Sequence, residues 1–229
     1  MLQSYLPYIL YIYTYSAKSR KDHVCQRMQI PSQYTSIETF HPHVPPVFVV
    51  QVQIPSDPPS SLFSTAEDGP GWAIVMYFAI TEDSVRQLKN LSTASPGIQL
   101  FAEHCEKAIS TPAWSSRFKV ICSCSNLEEL GVPSGISAYN AKPILIRRTG
   151  SLFKGPGYME KDIHVHKFAN LAKQSIHFLS SRFGQMTIQC GFLIEGREDS
   201  ELPEVLFGCV SVNKPQEDLA EFLFPEDYE

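Results

Sequence analysis

The 229-residue sequence lacks the short motifs that mark the common classes of catalytic site. It contains no GxSxG nucleophile elbow, no GxxxxGK[ST] phosphate loop, no HExxH zinc motif and no GxGxxG fingerprint after a strand. Gly155-Pro156-Gly157 is too short and too rigid for a dinucleotide loop, and it predicts a turn. These absences favour a protein that binds something without being an enzyme, and no cofactor is expected.

A large charge imbalance is also lacking. The chain has 19 basic and 24 acidic residues, a net charge of −5 with histidine counted as neutral. Recognition of nucleic acid calls for a basic surface, so this balance argues against a nucleic-acid partner. Apolar residues make up 43% of the chain, which is typical of a globular protein and not of a disordered one.

The six cysteines lack the CxxC spacing of metal and redox motifs. Four of them lie within apolar runs, where a free thiol behaves as a small hydrophobic side chain. Cys122 and Cys124 are two residues apart and would share one face of a strand. We therefore expect reduced, structural thiols in a cytosolic protein, rather than a disulfide or zinc framework.

The apolar and aromatic residues 1–16 lack the features of a signal peptide or a membrane span. As a helix this stretch would be about 24 Å long, shorter than the roughly 30 Å hydrocarbon core of a bilayer. Pro7 interrupts it, five tyrosines lower its hydrophobicity, and no basic region precedes it. A core strand, a segment at the membrane interface and a wrongly assigned start codon remain open as alternatives.

Apolar periodicity predicts an α+β fold. Spacing typical of amphipathic helices runs from Ser95-Pro96 to Ile109 and from Phe168 to Phe183. Strands are predicted at 47–54, 71–80, 118–123, 143–148, 158–166, 187–195 and 205–212. Because strands and helices do not alternate strictly, we expect a largely antiparallel sheet of about seven strands with two longer amphipathic helices packed on it.

The strand predicted at 71–80 is apolar on both faces, as a central strand should be. Its larger side chains share one face, and its smaller ones lie mainly on the other. A face with such large apolar side chains must be shielded from water, either by a packed helix or by a closed cavity. The candidates for lining a ligand pocket are therefore Trp72, Ile74, Met76 and Phe78.

Two histidine pairs have a spacing that could place a metal ion. His164 and His166 are two residues apart on a predicted strand, where Asp162 would be a third ligand on the same face. His41 and His43 are flanked by prolines and predict a loop. Since an exposed polar strand face and an ordinary loop explain both pairs, no metal site is expected.

Charge is distributed unevenly along the chain. Residues 142–182 carry eight basic and two acidic side chains, whereas residues 195–229 carry eleven acidic and two basic ones. A basic segment can attract anionic lipid head groups, at roughly 1 kcal/mol per basic residue near the surface. The predicted head-group contacts are Arg147, Arg148 and Lys154. In the alternative interpretation, the basic and acidic side chains alternate on the folded surface, where they keep the protein hydrated and form no binding site.

Six segments occur in an order that points to a known family. They are FVVQVQIP (48–55), AIVMYFAI (73–80), SSRFKVI (115–121), KPILIRR (142–148), GPGYMEKDI (155–163) and FLIEGREDSELPEVLFGCV (192–210). The strongest pieces are a Gly-x-x-Tyr-x-Glu-x-Asp turn and strand (Gly155, Tyr158, Glu160, Asp162) and Glu201-Leu202-Pro203-Glu204 with Gly208. Together they resemble the C-terminal domain of the plant protein enhanced disease resistance 2, a domain of unknown function. The resemblance covers about residues 46–214.

The resemblance implies a regulatory role and no established catalytic residue. Such plant domains often follow a phosphoinositide-binding pleckstrin homology domain and a START lipid-transfer domain, and the proteins act at endomembranes as negative regulators of defence-related cell death. This implies a cytoplasmic location, peripheral on endomembranes, and an anionic lipid or membrane surface as partner. Because function does not follow from neighbouring domains, the implication remains a hypothesis.

The sequence thus predicts three regions and two alternative functions. The regions are a poorly defined segment 1–45 (truncated or misassembled in one interpretation), a domain at 46–214 and an acidic, solvated tail at 215–229. The first function is a non-enzymatic lipid- or membrane-associated binding domain. The second is a regulatory domain that binds protein partners and has no lipid pocket.

Overall fold

The computed structural model describes residues 8–59 and 67–222, which form ten strands in two sheets. The α+β class is confirmed, but the single sheet of about seven strands is wrong. In chain order the strands are β1 (Tyr8–Ala17), β2 (Val47–Pro55), β3 (Gly71–Ala79), β4 (Phe118–Cys124), β5 (Pro143–Leu145), β6 (Gly150–Gly155), β7 (Tyr158–His164), β8 (Thr187–Ile194), β9 (Leu206–Asn213) and β10 (Glu221–Phe222).

The first sheet has six strands in the order β10-β1-β3-β2-β7-β6, and the second has four in the order β5-β4-β8-β9. Neighbouring strands are antiparallel except in the pairs β1–β10 and β2–β7. Strand pairing joins residues far apart in sequence, so local periodicity identifies strands without showing how they divide between sheets.

Both long helices predicted from the sequence are present. The helices are α1 (Ser32–Thr35), α2 (Glu82–Leu88), α3 (Pro96–Lys107), α4 (Pro112–Ser115), α5 (Ser134–Ser137) and α6 (Asn170–Ser180). Thr81 caps α2, because its side chain accepts a hydrogen bond from the Ser84 N–H. Among the described residues, no helix combines the length and apolar character needed to cross a membrane.

Aromatic rings join one face of each sheet into the main core. Phe48 of the six-stranded sheet contacts Phe118 and Phe207 of the four-stranded sheet, with ring centroids 6.2 and 5.1 Å apart. Phe101 of α3 closes the cluster from the side, 5.0 Å from the Phe207 ring. Aromatic pairs of this kind add about 0.5–1.5 kcal/mol each beyond the area that they bury.

The opposite face of the six-stranded sheet is covered by the N-terminal part of the chain. β1 lies between β3 and β10, and of the alternatives for the N-terminal stretch its described part is a core strand. Residues Val24 and Cys25 pack against the apolar side chains of β2 and β3. Residues 1–7 lie outside the described part of the chain.

Two strand predictions are wrong in extent. The strand predicted at 143–148 is only three residues long, because the chain leaves one sheet after β5 and enters the other at β6. The strand predicted to reach residue 166 ends at His164, and a 3-10 turn follows at Val165–Lys167. β6 was not predicted from the sequence. The start of the acidic tail is not simply solvated, since β10 pairs with β1.

Candidate functional site

The four side chains proposed to line a pocket lie in the main core. Trp72, Ile74, Met76 and Phe78 are all buried between the two sheets. The Phe78 ring meets Phe192 at 5.7 Å. Side chains of the second sheet and of α3 therefore occupy the space in front of this face.

One cleft opens beside this core. It has a volume of ≈ 270 Å³, and its lining includes Trp72, Phe183, Gln216 and Glu217. Of the four candidate pocket residues, only Trp72 reaches it. The cleft is smaller than the roughly 300–1,000 Å³ of typical small-molecule sites.

The three predicted head-group contacts are exposed, but they do not lie at one place. Arg147 and Arg148 follow β5, the edge strand of the four-stranded sheet. Lys154 lies on β6, the edge strand of the other sheet, about 13 Å along the strand from Gly150. Its charge contributes to lowering the pKa of His41, after burial and His43, so Lys154 faces a different neighbourhood.

Arg147 and Arg148 belong to a stretch that we call the basic edge segment, residues 139–148, which is exposed except at the half-buried Leu145 and the buried Ile146. Lys142 is also exposed, and its Nζ lies 5.8 Å from the Tyr139 ring centroid. Within the described chain, none of these three cations has a carboxylate oxygen within 4 Å. Two apolar side chains of the same segment are exposed to solvent, Tyr139 at 66% and Ile144 at 47%.

The Tyr-x-Glu-x-Asp motif holds the N-terminal part of the chain on the sheet. Glu160 accepts hydrogen bonds from the N–H groups of Val24 (2.9 Å) and Cys25 (3.1 Å), one at each carboxylate oxygen. Asp162 accepts a third, from the N–H of His23 at 2.9 Å. Three successive backbone donors at the start of a 3-10 turn are thereby satisfied, which would otherwise be costly in a buried place.

The tyrosine and glycine of this motif support the same contact. The Tyr158 hydroxyl lies 2.9 Å from His23 Nε2, and the His23 ring stacks on Phe153 with centroids 4.6 Å apart. A Cβ at Gly155 would lie 2.2 Å from the Tyr158 ring, so only glycine fits there. The motif is accounted for by packing and hydrogen bonding within the domain.

Ionisable groups on β7 are strongly affected by burial. Burial and the neighbouring Glu160 raise the pKa of Asp162 well above its usual range. Lys161 points to the opposite face, with Nζ 5.5 Å from the Phe118 ring centroid, and burial lowers its pKa to about 8. No described carboxylate lies within 4 Å of that ammonium group.

One histidine of each predicted pair takes part in hydrogen bonds within the domain. His164 lies 3.1 Å from Ser151 Oγ and 3.3 Å from Gln53 Nε2, and burial lowers its pKa to about 4. His41 accepts hydrogen bonds from the N–H groups of His43 and Val44 within a loop. In the part of the chain that the structure describes, no three histidine, cysteine or acidic residues are grouped closely enough to hold a metal ion.

The second motif also has a structural role. Arg117 contacts both carboxylate oxygens of Glu201 at 2.9 Å, and Lys119 contacts both oxygens of Glu204 at 2.7 Å. These ion pairs fasten the β8–β9 connection to the start of β4. Gly208 leaves room for the Phe78 ring, since an added Cβ would lie 3.1 Å from it.

Comparison with known proteins identifies the family and no individual relative. Neither the curated proteins nor the solved structures include a match to this chain. The family model described as "Protein ENHANCED DISEASE RESISTANCE 2, C-terminal" matches residues 3–215. That range begins well before residue 46, where the sequence motifs start, and it includes β1 and the turn held by Glu160 and Asp162. The chain therefore belongs to the enhanced disease resistance 2 C-terminal domain family.

Proposed function

We propose that this domain is a non-enzymatic, regulatory module that binds peripherally to anionic membrane surfaces through the basic edge segment. One observation carries the proposal: three exposed cations that have no carboxylate partner among the described residues adjoin two exposed apolar side chains on one short stretch. Anionic lipid head groups complement the cations, and the interfacial region of a bilayer suits an exposed tyrosine.

The expected affinity is modest. Lys142, Arg147 and Arg148 would contribute about 1 kcal/mol each near an anionic surface. Burial of the exposed part of Ile144 would add about 1 kcal/mol. A total near 4 kcal/mol corresponds to a dissociation constant of about 1 mM, so binding would be reversible and sensitive to salt.

Surface binding is favoured over uptake of an acyl chain. Side chains that would have to line an acyl pocket are packed against aromatic neighbours. Of the four candidate pocket residues, only Trp72 lines the ≈ 270 Å³ cleft. A bound acyl chain would require the sheets to separate and lose that packing. The proposal therefore concerns head groups and the interface, on the anionic cytoplasmic leaflet of endomembranes.

Vesicle co-sedimentation tests this function. The full chain is mixed with phosphatidylcholine vesicles and with vesicles that also contain about 30% phosphatidylserine, which gives an anionic surface. We expect binding only to the anionic vesicles, and loss of most of it when Lys142, Arg147 and Arg148 are all changed to Glu. A control variant with Arg86, Lys89 and Lys214 changed to Glu carries the same net charge change at exposed positions elsewhere.

Two results would contradict the proposal. One is equal binding by the segment variant and the wild type, and the other is equal loss in both charge-reversal variants, which would indicate net charge alone. Circular dichroism of each variant establishes that the fold is retained.

A protein-interaction domain is the second candidate function, and the filled interior favours it. β5 is a sheet edge, so its free backbone groups could pair with a strand from a partner. This alternative predicts no vesicle binding by the folded wild type under any lipid composition and no lipid extracted with the purified protein. Mass spectrometry of an organic extract measures the second quantity directly.

A further inference from the structure

Two of the six cysteines face each other across the four-stranded sheet. Cys122 of β4 is the register partner of Cys190 of β8 in an antiparallel pair. Their Sγ atoms are 2.7 Å apart, closer than the roughly 3.5–4.0 Å of ordinary contacts between heavy atoms. Both thiols are free in this structure, and both residues are partly exposed.

The backbone already has a geometry that allows a bond between them. Residues directly opposite in an antiparallel pair have Cα atoms about 4.5 or 5.5 Å apart, depending on the hydrogen-bonding position. Disulfides accept Cα separations of about 4.4–6.8 Å. A sulfur–sulfur bond of about 2.05 Å would therefore need only a small movement of the side chains and no separation of the strands.

The remaining cysteines lack such a partner. Cys25 and Cys105 are buried, and burial raises the pKa of each thiol. Cys124 is buried and hydrogen-bonds to Asn126. Cys209 is the most accessible thiol, but its register partner on β8 is Gly191. The most accessible cysteine, Cys209, is therefore not one of the paired cysteines. Oxidation governed by exposure and oxidation governed by pairing would modify different residues and can be distinguished.

We propose that Cys122 and Cys190 are a modification site at which hydrogen peroxide, or a related peroxide, forms a reversible disulfide within the chain. This goes beyond the membrane proposal and does not depend on it. The expectation of structural thiols then holds for the reduced protein, while the pair remains open to oxidation.

The reaction starts at Cys122. Hydrogen bonding from the Cys190 thiol lowers the pKa of Cys122, and the same bond raises the pKa of Cys190. The Cys122 thiolate attacks one peroxide oxygen, the O–O bond breaks, and the second oxygen leaves as hydroxide and takes up a proton to become water. Cys122 is then a sulfenic acid.

Cys190 completes the bond. After losing its proton, its sulfur attacks the sulfenic sulfur, the S–O bond breaks, and hydroxide leaves and is protonated to a second water. In total, two thiols are oxidised to a disulfide while one peroxide is reduced to two waters. A small thiol such as glutathione or dithiothreitol reverses the reaction by exchange.

Peptide mapping of the full chain tests the site. Reduced protein is treated with one equivalent of hydrogen peroxide, free thiols are blocked, and the non-reduced tryptic digest is analysed by mass spectrometry. We expect a linked pair of peptides 120–147 and 183–197, lighter by two hydrogens than their sum, that disappears with dithiothreitol. Because peptide 120–147 contains both Cys122 and Cys124, the Cys124→Ser variant assigns the link.

Matched variants separate this pair from general oxidation. The link should persist in Cys124→Ser and Cys209→Ser and be absent from Cys122→Ser and Cys190→Ser. The proposal is overturned if Cys209 is oxidised while peptide 183–197 stays unlinked, or if the link in the wild type runs to Cys124.

A measurement on the wild type alone does not depend on the folding of any variant. A bond between residues 68 apart restricts the unfolded chain, so oxidation should raise the Tm by about 5–10 °C, and dithiothreitol should reverse the rise. An unchanged Tm in protein that carries the link would contradict the expected fit of the bond to the folded strands.

Discussion

Glu160 and Asp162 are both fully buried carboxylates of β7, but their oxygen atoms have different partners. Each oxygen of Glu160 accepts a backbone N–H, whereas only Oδ2 of Asp162 does so. Asp162 Oδ1 has no hydrogen-bond partner within the described residues. The two residues should therefore respond differently to amide substitution.

Glu160→Gln is expected to lower the free energy of unfolding by about 1–3 kcal/mol, because an amide NH₂ would face one of the two backbone donors. Asp162→Asn keeps the acceptor for the His23 N–H and places its NH₂ at the unpartnered position. It also removes a group that burial disfavours in its charged form, so we expect no loss of stability at neutral pH. Urea unfolding of both variants measures the difference, and equal destabilisation would contradict this assignment.

Lys161 should make stability depend on alkaline pH. Its pKa is about 8 in the folded protein against a usual value of 10.5, so the folded state binds its proton less tightly. Between these pH values the unfolded state holds more protons, and stability from this group rises with pH. Below pH 8, where Lys161 is charged, burial of the charge lowers the free energy of unfolding by about 3 kcal/mol.

Lys161→Met removes that cost while retaining a long side chain beside Phe118. Relative to wild type, its free energy of unfolding should be higher by about 2–3 kcal/mol at pH 7, with the gain shrinking as the pH rises from 8 towards 10.5. Urea unfolding at pH 7 and pH 10 gives both values. A gain that is the same at both pH values would show that packing, not charge burial, is responsible.

Sequence patterns could not predict this buried set of charges. Charged residues at 160, 161 and 162 suggest an exposed strand, because local pattern cannot show that the N-terminal part of the chain supplies N–H donors from about 135 residues away. The Gly-x-x-Tyr-x-Glu-x-Asp motif did identify important residues, since all four of its members contribute to the contact between β7 and the N-terminal part of the chain. Their structural role became evident only from their partners.

At the scale of elements, the β8–β9 connection depends on its ion pairs with β4. Glu201 accepts hydrogen bonds from Arg117 and from the N–H groups of Arg197 and Glu198. Burial opposes its ionisation, but these hydrogen bonds lower the pKa of Glu201 on balance. Its contribution is therefore present at neutral pH and is lost as the pH falls through the lowered pKa.

Glu201→Ala should lower the free energy of unfolding by about 2 kcal/mol at pH 7, because Arg117 loses its partner in a part-buried place. The difference from wild type should narrow on acidification below pH 4. Glu103→Ala, which breaks an exposed pair with Lys107 within α3, serves as the control and should cost less than about 0.5 kcal/mol. Thermal unfolding at pH 7 and pH 3 compares the two. Equal losses in both variants would contradict the assigned role.

Elements with strong local signals were predicted well. The Ser95-Pro96 start of α3 and the Gly155-Pro156-Gly157 turn both depend on neighbouring residues. β1 was ambiguous because its alternating tyrosines suit a membrane interface as well as a sheet. β5 was predicted too long and β6 was not predicted, because the switch between sheets at residues 146–149 does not change the hydrophobic pattern.

At the scale of the molecule, a net charge of −5 conceals a local positive surface. Two cations of the basic 142–182 stretch, Lys161 and Lys173, are buried and cannot reach a membrane. Arg147 and Arg148 remain exposed, as the head-group proposal requires, whereas Lys154 lies apart from them. Sequence could locate the basic stretch, but only the fold shows which of its charges reach solvent.

Hydrogen–deuterium exchange of the full chain with and without anionic vesicles tests membrane docking most directly, because it locates the contact without any substitution. If the basic edge segment docks on the membrane, amides in residues 139–148 should exchange more slowly with anionic vesicles and at the usual rate with neutral ones. Amides of α3, on another part of the domain, should be unaffected. Unchanged exchange throughout 139–148 at vesicle concentrations that bind the protein would contradict the account.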